Sequence, residues 1–132
     1  MQIAETLRNT LADAIVTDVG AGAYVRFYDT SLTTKFATIA CSNPAFASAS
    51  SGAIAIDVTP ALTDTALAAG TVGRMGIYQN TTAAAGAWRL LFGVATASGA
   101  DVTMSNLTVA TTDTIELTSL TVTVPAGTVT VS

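Results

Sequence analysis

The sequence predicts a mainly β protein, an antiparallel sandwich of Ig-like or jelly-roll-like type with one N-terminal α-helix, and three observations predict it. Short segments rich in Val, Ile, Thr, Tyr and Phe, alternating apolar with polar, recur from residue 24 onwards. Turn-forming clusters separate them, and no helical stretch intervenes to carry a parallel crossover. Only the first 20 residues show a period near that of a helix.

Ile3, Ala4, Leu7, Leu11, Ile15 and Val19 follow one another mostly at helical spacings, so residues 3 to about 19 predict an amphipathic helix that Gly20 stops. Glu5, Arg8, Asp13 and Asp18 then fall mostly on the wetter side. Such a helix is expected to pack on its own sheet, and the alternative is docking onto a partner. The strands begin with "YVRFYD", where Tyr24, Arg26 and Tyr28 alternate with Val25 and Phe27, and continue through "FATIAC" and "AIAIDVT". A polar connection, "SNPAFASASSG", separates the last two. "TPALTDTALAAG" reads either as a loop or as a short helical turn. "TVGRMGIYQ" and "AWRLLFGVA" flank "NTTAAAG", a composition suited to a hairpin connection. A final "GTVTVS" reads as an edge strand or a frayed end.

The stretch "DTIELTSLTVTVPAG" carries a phase slip: Ile115 and Leu117 are apolar at odd positions, Leu120, Val122 and Val124 at even ones. A one-residue slip turns every following side chain to the other face unless the backbone bulges or bends. Thirteen residues upstream the same slip separates Val102 and Met104 from Leu107 and Val109. Two segments that slip alike predict paired strands bending together at a corner.

At 132 residues the chain fits a single domain, 1–132, with the helix over 1–20 and the sandwich over 21–132. Half of the residues are apolar and 11% are charged, against ~25% in ordinary soluble domains, so part of the surface is expected to be covered by a partner. The net charge is −4, with Arg8, Arg26, Lys35, Arg74 and Arg89 the only cations, which argues against nucleic acid. No basic start leads into an apolar run, so no secretory signal is expected. Arg89 breaks the best apolar stretch, so no membrane span is expected either.

Catalysis needs acids, bases, nucleophiles or metal ligands that converge, and that inventory is thin. Without histidine there is no Ser-His or Cys-His system and no common zinc set. The lone Cys41 reads as a small buried hydrophobe. Asp57, Asp64, Asp101, Asp113 and Glu116 could in principle serve a glycosidase or hold Ca²⁺, but Asp57, Asp101 and Asp113 sit at strand ends, where Asp makes turns. The glycines of "GAGA" and "AAGTVGRMG" lack the context of a phosphate loop. Asn80 and Asn106 match glycan-acceptor spacing, which carries no weight without a secretory signal. The expectation is therefore a protein that is not an enzyme and has no metal or cofactor. Tyr24, Tyr28, Tyr78 and Trp88 could stack on sugars, although alternation within strands favours core or interface packing.

The layout resembles a widespread group of small virion-structural proteins of tailed bacteriophages. The matching features are "LRNTLADAI", "YVRFYDT", "NPAFASASSGAI" and the ending "GADVTMSNLTVATTDTIELTSLTVTVPAG", nearly the full chain. Members often carry a Tyr-Asp-Gly turn after the first strand; Thr30 stands at the Gly position here. The resemblance implies a β-rich particle component made in the host cytoplasm. Its expected role is capsid decoration, cementing the head through contacts with the major capsid protein and with copies of itself. Threefold clustering is common among such proteins, though no residue pattern here encodes it. A tail, collar or fibre component is the alternative within the virion, and a carbohydrate-binding module for host recognition the alternative outside that class. Leu7, Leu11, Tyr24, Arg26 and Tyr28 are the expected partner contacts.

Overall fold

The computed structural model describes residues 2–96 and 101–126. One helix, α1 (Glu5–Val19), precedes short strands β1 (Tyr24–Tyr28), β2 (Lys35–Ala40), β3 (Ala53–Ala55), β4 (Leu62–Thr65), β5 (Gly70–Thr71) and β6 (Arg74–Tyr78). Then follow β7 (Leu90–Ala95), β8 (Val102–Thr103), β9 (Thr108–Val109), β10 (Thr114–Leu117) and β11 (Thr121–Thr123). The expected strand at "GTVTVS" lies outside the described residues. Five strands form a sheet in the order β2-β1-β6-β7-β8, and the others form three two-stranded ladders, β10-β4, β11-β3 and β5-β9. The protein is thus mainly β, with an N-terminal helix and largely antiparallel pairing; the β7–β8 ladder is parallel.

β1 and β6 hold the middle of the large sheet because both faces of each are covered. Val25 and Phe27 from β1, with Met75 and Ile77 from β6, point into the core, where burying each side chain stabilises by roughly 1.5–3 kcal/mol. Phe36 from β2, Ile54 from β3, Ile115 and Leu117 from β10, and Phe46 and Val72 from the connections complete that core.

The phase slip has a direct structural counterpart. Residues 62–65 pair with 114–117 and residues 53–55 with 121–123, so six residues, 56 to 61, lie opposite three, 118 to 120. The ladder breaks there and resumes on the other phase: Leu117 and Leu120 are both buried, while Thr118 and Ser119 between them are exposed. The upstream repeat slips as well, but not as the partner of this one. β8 pairs with β7 and β9 with β5, since each is drawn to a different neighbour. The segment "TPALTDTALAAG" is neither loop nor helical turn. It carries β4, because the odd face of β10 offers it a complete antiparallel ladder.

The helix begins and ends near the expected residues, and Gly20 closes it at φ 76° with its N–H on the Val16 carbonyl. Its rotation differs from the expected stripe. Ala12 and Val19 are buried, Ile15 and Val16 half-buried, and Leu7 and Leu11 face outward. The cause is polar. The turn at 49–52 presents backbone groups to α1, which Asp13 accepts from Ala49 N–H, Asn9 from Gly52 N–H, and Arg8 donates to at the Ser51 carbonyl. Gly52 sits at φ 76°, and a Cβ there would lie 2.9 Å from the Arg8 guanidinium and 3.0 Å from the Val124 carbonyl, so glycine lets helix and ladder meet.

Candidate partner-contact surface

Arg26 is the one buried charged residue among the described residues, 2% exposed. It stands on β1 opposite Gly76 of β6. A Cβ at Gly76 would lie 2.7 Å from Cε2 of Tyr78, so the missing side chain is what allows the Tyr78 ring to lie down over the strand. The Arg26 guanidinium sits 4.4 Å from the centre of that ring. No carboxylate pairs with it. Its nitrogens donate instead to the carbonyls of Ala83 at 2.8 Å, Thr81 at 2.6 Å and Asn80 at 3.1 Å, a fork only arginine presents.

The β6–β7 connection is therefore held from below. Tyr78 adds a hydrogen bond from its hydroxyl to the Ala85 carbonyl, and Asn80 accepts from the Thr82 N–H and hydroxyl. Burial, then the neighbouring Tyr28, pushes the Tyr78 phenol up to about 12, so it remains a donor across the physiological range. Ala87 N–H bonds to Ala84, and Arg89 N–H to Ile77, which closes the hairpin. At the end of this fixed loop Trp88 stands 41% exposed.

The loop is tied to the helix at the next residue. Asp18 lies in the last turn of α1, where the helix dipole disfavours a carboxylate, and Arg89 binds it through two bonds of 2.6 Å. That pairing holds the Asp18 carboxyl below its usual range and raises the Arg89 guanidinium. Gln79 further caps the Asp18 carbonyl. Leu7, Leu11, Ala14 and Asp18 follow at spacings of four, three and four, one stripe running roughly 16 Å along the helix, and all are exposed. Three of the four exposed large hydrophobic residues among the described ones, Leu7, Leu11 and Trp88, thus belong to two elements that the Asp18–Arg89 pair joins.

Of the expected contacts, Leu7 and Leu11 are exposed, Tyr24 is half-buried, and Arg26 and Tyr28 are covered by the chain itself. The alternation of β1 is real, but its second face is occupied by the Tyr78 ring, 6.2 Å from that of Tyr28, and by the clamped loop. Arg89 and Trp88 were not among the expected contacts. An acidic residue in the last turn of a helix was the available signal that a distant cation must come to it.

Several remaining polar side chains serve local structure. Asp57 accepts from Thr59 N–H, Asp64 from Thr38 and Thr65, Asp101 from Gly93 and Asp113 from Ala110. Asp29 organises the departing turn after β1 by accepting from Ser31, Thr33 and Thr34. Asn106 accepts from Thr108 N–H, as Asn80 does from Thr82. Burial pushes the Cys41 thiol up to about 11, away from reactivity. No group of three metal-ligating side chains gathers among the described residues, and no helix there is long and apolar enough to cross a membrane. Two neighbouring clefts, of about 530 and 190 Å³, open between residues 101–109 and 113–121. Compared with protein-family models, curated proteins and solved structures, the chain matches none.

Proposed function

We propose that this chain is a non-enzymatic structural component of a bacteriophage virion, a capsid decoration protein that cements the head through many weak contacts with the major capsid protein and with copies of itself. The observation that carries this reading is the exposed apolar line on rigid supports. Leu7 and Leu11 project from a docked helix, and Trp88 from a loop that a buried arginine holds in place. Preorganised apolar anchors lose little entropy on docking, which suits a protein that must attach without chemistry. The low charge of the chain supports a surface that is partly covered in use. In the same reading, the three ladders form the second layer of an Ig-like or jelly-roll-like sandwich over the five-stranded sheet.

The test is the copy number of the chain per purified particle, measured by quantitative mass spectrometry against the major capsid protein. Hundreds of copies support head decoration. A few to a few dozen move the chain to the tail, collar or a fibre, and absence from the particle overturns the virion reading. Carbohydrate binding is the competing reading that exposed Trp88 keeps testable. A folded Trp88→Ala variant that loses glycan binding, from a parent that has it, would favour that reading instead.

A further inference from the structure

We infer that the cleft beside β10 is an acceptor for an extended, Lys- or Arg-bearing segment of a partner protein, which would add to the free edge of β10 as a further strand. Three observations converge on this. First, among the described residues β10 is paired on one side only, to β4. Ala66 N–H bonds to the Asp113 carbonyl, whose own N–H bonds to the Ala110 carbonyl, and the alternation of the ladder turns the backbone groups of 115 and 117 towards β4. Thr114 and Glu116 therefore present N–H and C=O on the opposite edge. Second, that edge opens into the clefts, and the other wall of the larger one is residues 103–106, 108 and 109. Thr114, Glu116 and Thr118 line the larger one, so the edge has room before it, which an edge covered by neighbouring chain lacks.

Third, the charge is one-sided. Asp113 and Glu116 line the larger cleft, Asp101 and Glu116 the smaller, and no cation lines either. Asp113 and Asp101 each accept one backbone N–H, whereas Glu116 is exposed on the strand itself. A second copy of this chain pairing edge to edge here would bring Glu116 and Asp113 against the same carboxylates, so like-charge repulsion disfavours it. A cation-bearing strand gains instead opposite Glu116, while main-chain bonds supply the register. This site lies apart from the Leu7, Leu11 and Trp88 line and stands whether or not the chain belongs to a virion.

The experiment uses the full chain and a capped hexapeptide alternating Lys and Val, followed by amide exchange and NMR titration in low salt. Saturable binding is expected, with exchange at Thr114 and Glu116 slowed about tenfold or more and affinity falling as salt rises. The alternating Glu and Val peptide is expected to bind at least about tenfold more weakly. Glu116→Pro removes both the outward N–H and the carboxylate, a change an edge strand tolerates, so it should keep the parent's urea midpoint and lose binding. Glu116→Lys, which leaves the backbone intact, should weaken the cationic peptide about tenfold and covers the case in which the proline variant does not fold. No saturable binding at millimolar peptide would overturn the inference. So would equal binding of the acidic peptide, binding that leaves Thr114 and Glu116 exchange unchanged, or protection at those amides that grows with protein concentration alone, which would mark a second copy as the occupant.

Discussion

A guanidinium buried without a carboxylate is costly unless its donors meet carbonyls; the two terminal nitrogens of Arg26 meet three from one loop, while its Nε is buried without a partner. Arg26→Ala should therefore leave those carbonyls short of partners and a space beneath the Tyr78 ring. We expect a loss of about 3 kcal/mol in urea unfolding, with Arg26→Lys intermediate because an ammonium cannot span three acceptors. In Arg26→Lys the amides of residues 79–87 should exchange faster while those of α1 stay as they are. The residue also shows where sequence reading stops. Period-two alternation placed Arg26 opposite the core face of β1, but its cover comes from Ala83, 57 positions away, and no local pattern announces that. Cys41, expected as a small buried hydrophobe, is half-buried just after β2, and with no histidine in the chain its thiol has no base beside it. With its thiol near 11, it should react with a thiol reagent at pH 8 about 100-fold more slowly than in the unfolded chain.

At the scale of elements, the phase slip was the most informative feature of the sequence, since a buried face cannot change parity without a break in the ladder. The unequal lengths of 56–61 and 118–120 are that break. Deleting Ser119 would make the apolar alternation continuous, leave two residues opposite 56–61, and turn Leu120, Val122 and Val124 out of phase with the residues they pack on. We expect this deletion to cost about 3 kcal/mol or more, and Thr118→Ala, at an exposed neighbouring position, less than about 0.5 kcal/mol, both read from denaturant midpoints. The pairing partners were not legible, because two segments with the same apolar spacing can each satisfy their edges elsewhere, as β9 does on β5 and β10 on β4. The helix illustrates the same limit. Its apolar spacing fixed its existence and its stop at Gly20, whereas its rotation was decided by backbone groups of the 49–52 turn bonding to Arg8, Asn9 and Asp13.

For the whole molecule, charge is scarce and unevenly used. Asp18 is held below its usual range by its bonds to Arg89, and Asp29 by the Thr33 hydroxyl and the Thr34 N–H. Depressed carboxyls stabilise the fold fully above the unfolded value of about 3.9, and that contribution disappears as pH falls through the lower folded values. Stability should thus be flat with respect to these two groups from neutral pH down to about 5 and decline below about 4, with Asp29→Asn flattening part of the decline in acid-unfolding curves. The apolar line behaves differently, because nothing among the described residues covers it. Leu7→Gln and Leu11→Gln keep helix propensity and remove side chains already 52% and 44% exposed, so each should cost about 1 kcal/mol or less in the isolated protein. At a multivalent surface the same loss is repeated at every copy, and a change of about 1.4 kcal/mol per contact lowers each occupancy constant tenfold. If the chain cements a particle, the Leu7→Gln, Leu11→Gln double variant should fold as the parent does yet be largely absent from purified virions, with Trp88→Gln behaving likewise. Full incorporation of the folded variants would place the contact on another face, and the edge of β10 would be the next surface to alter.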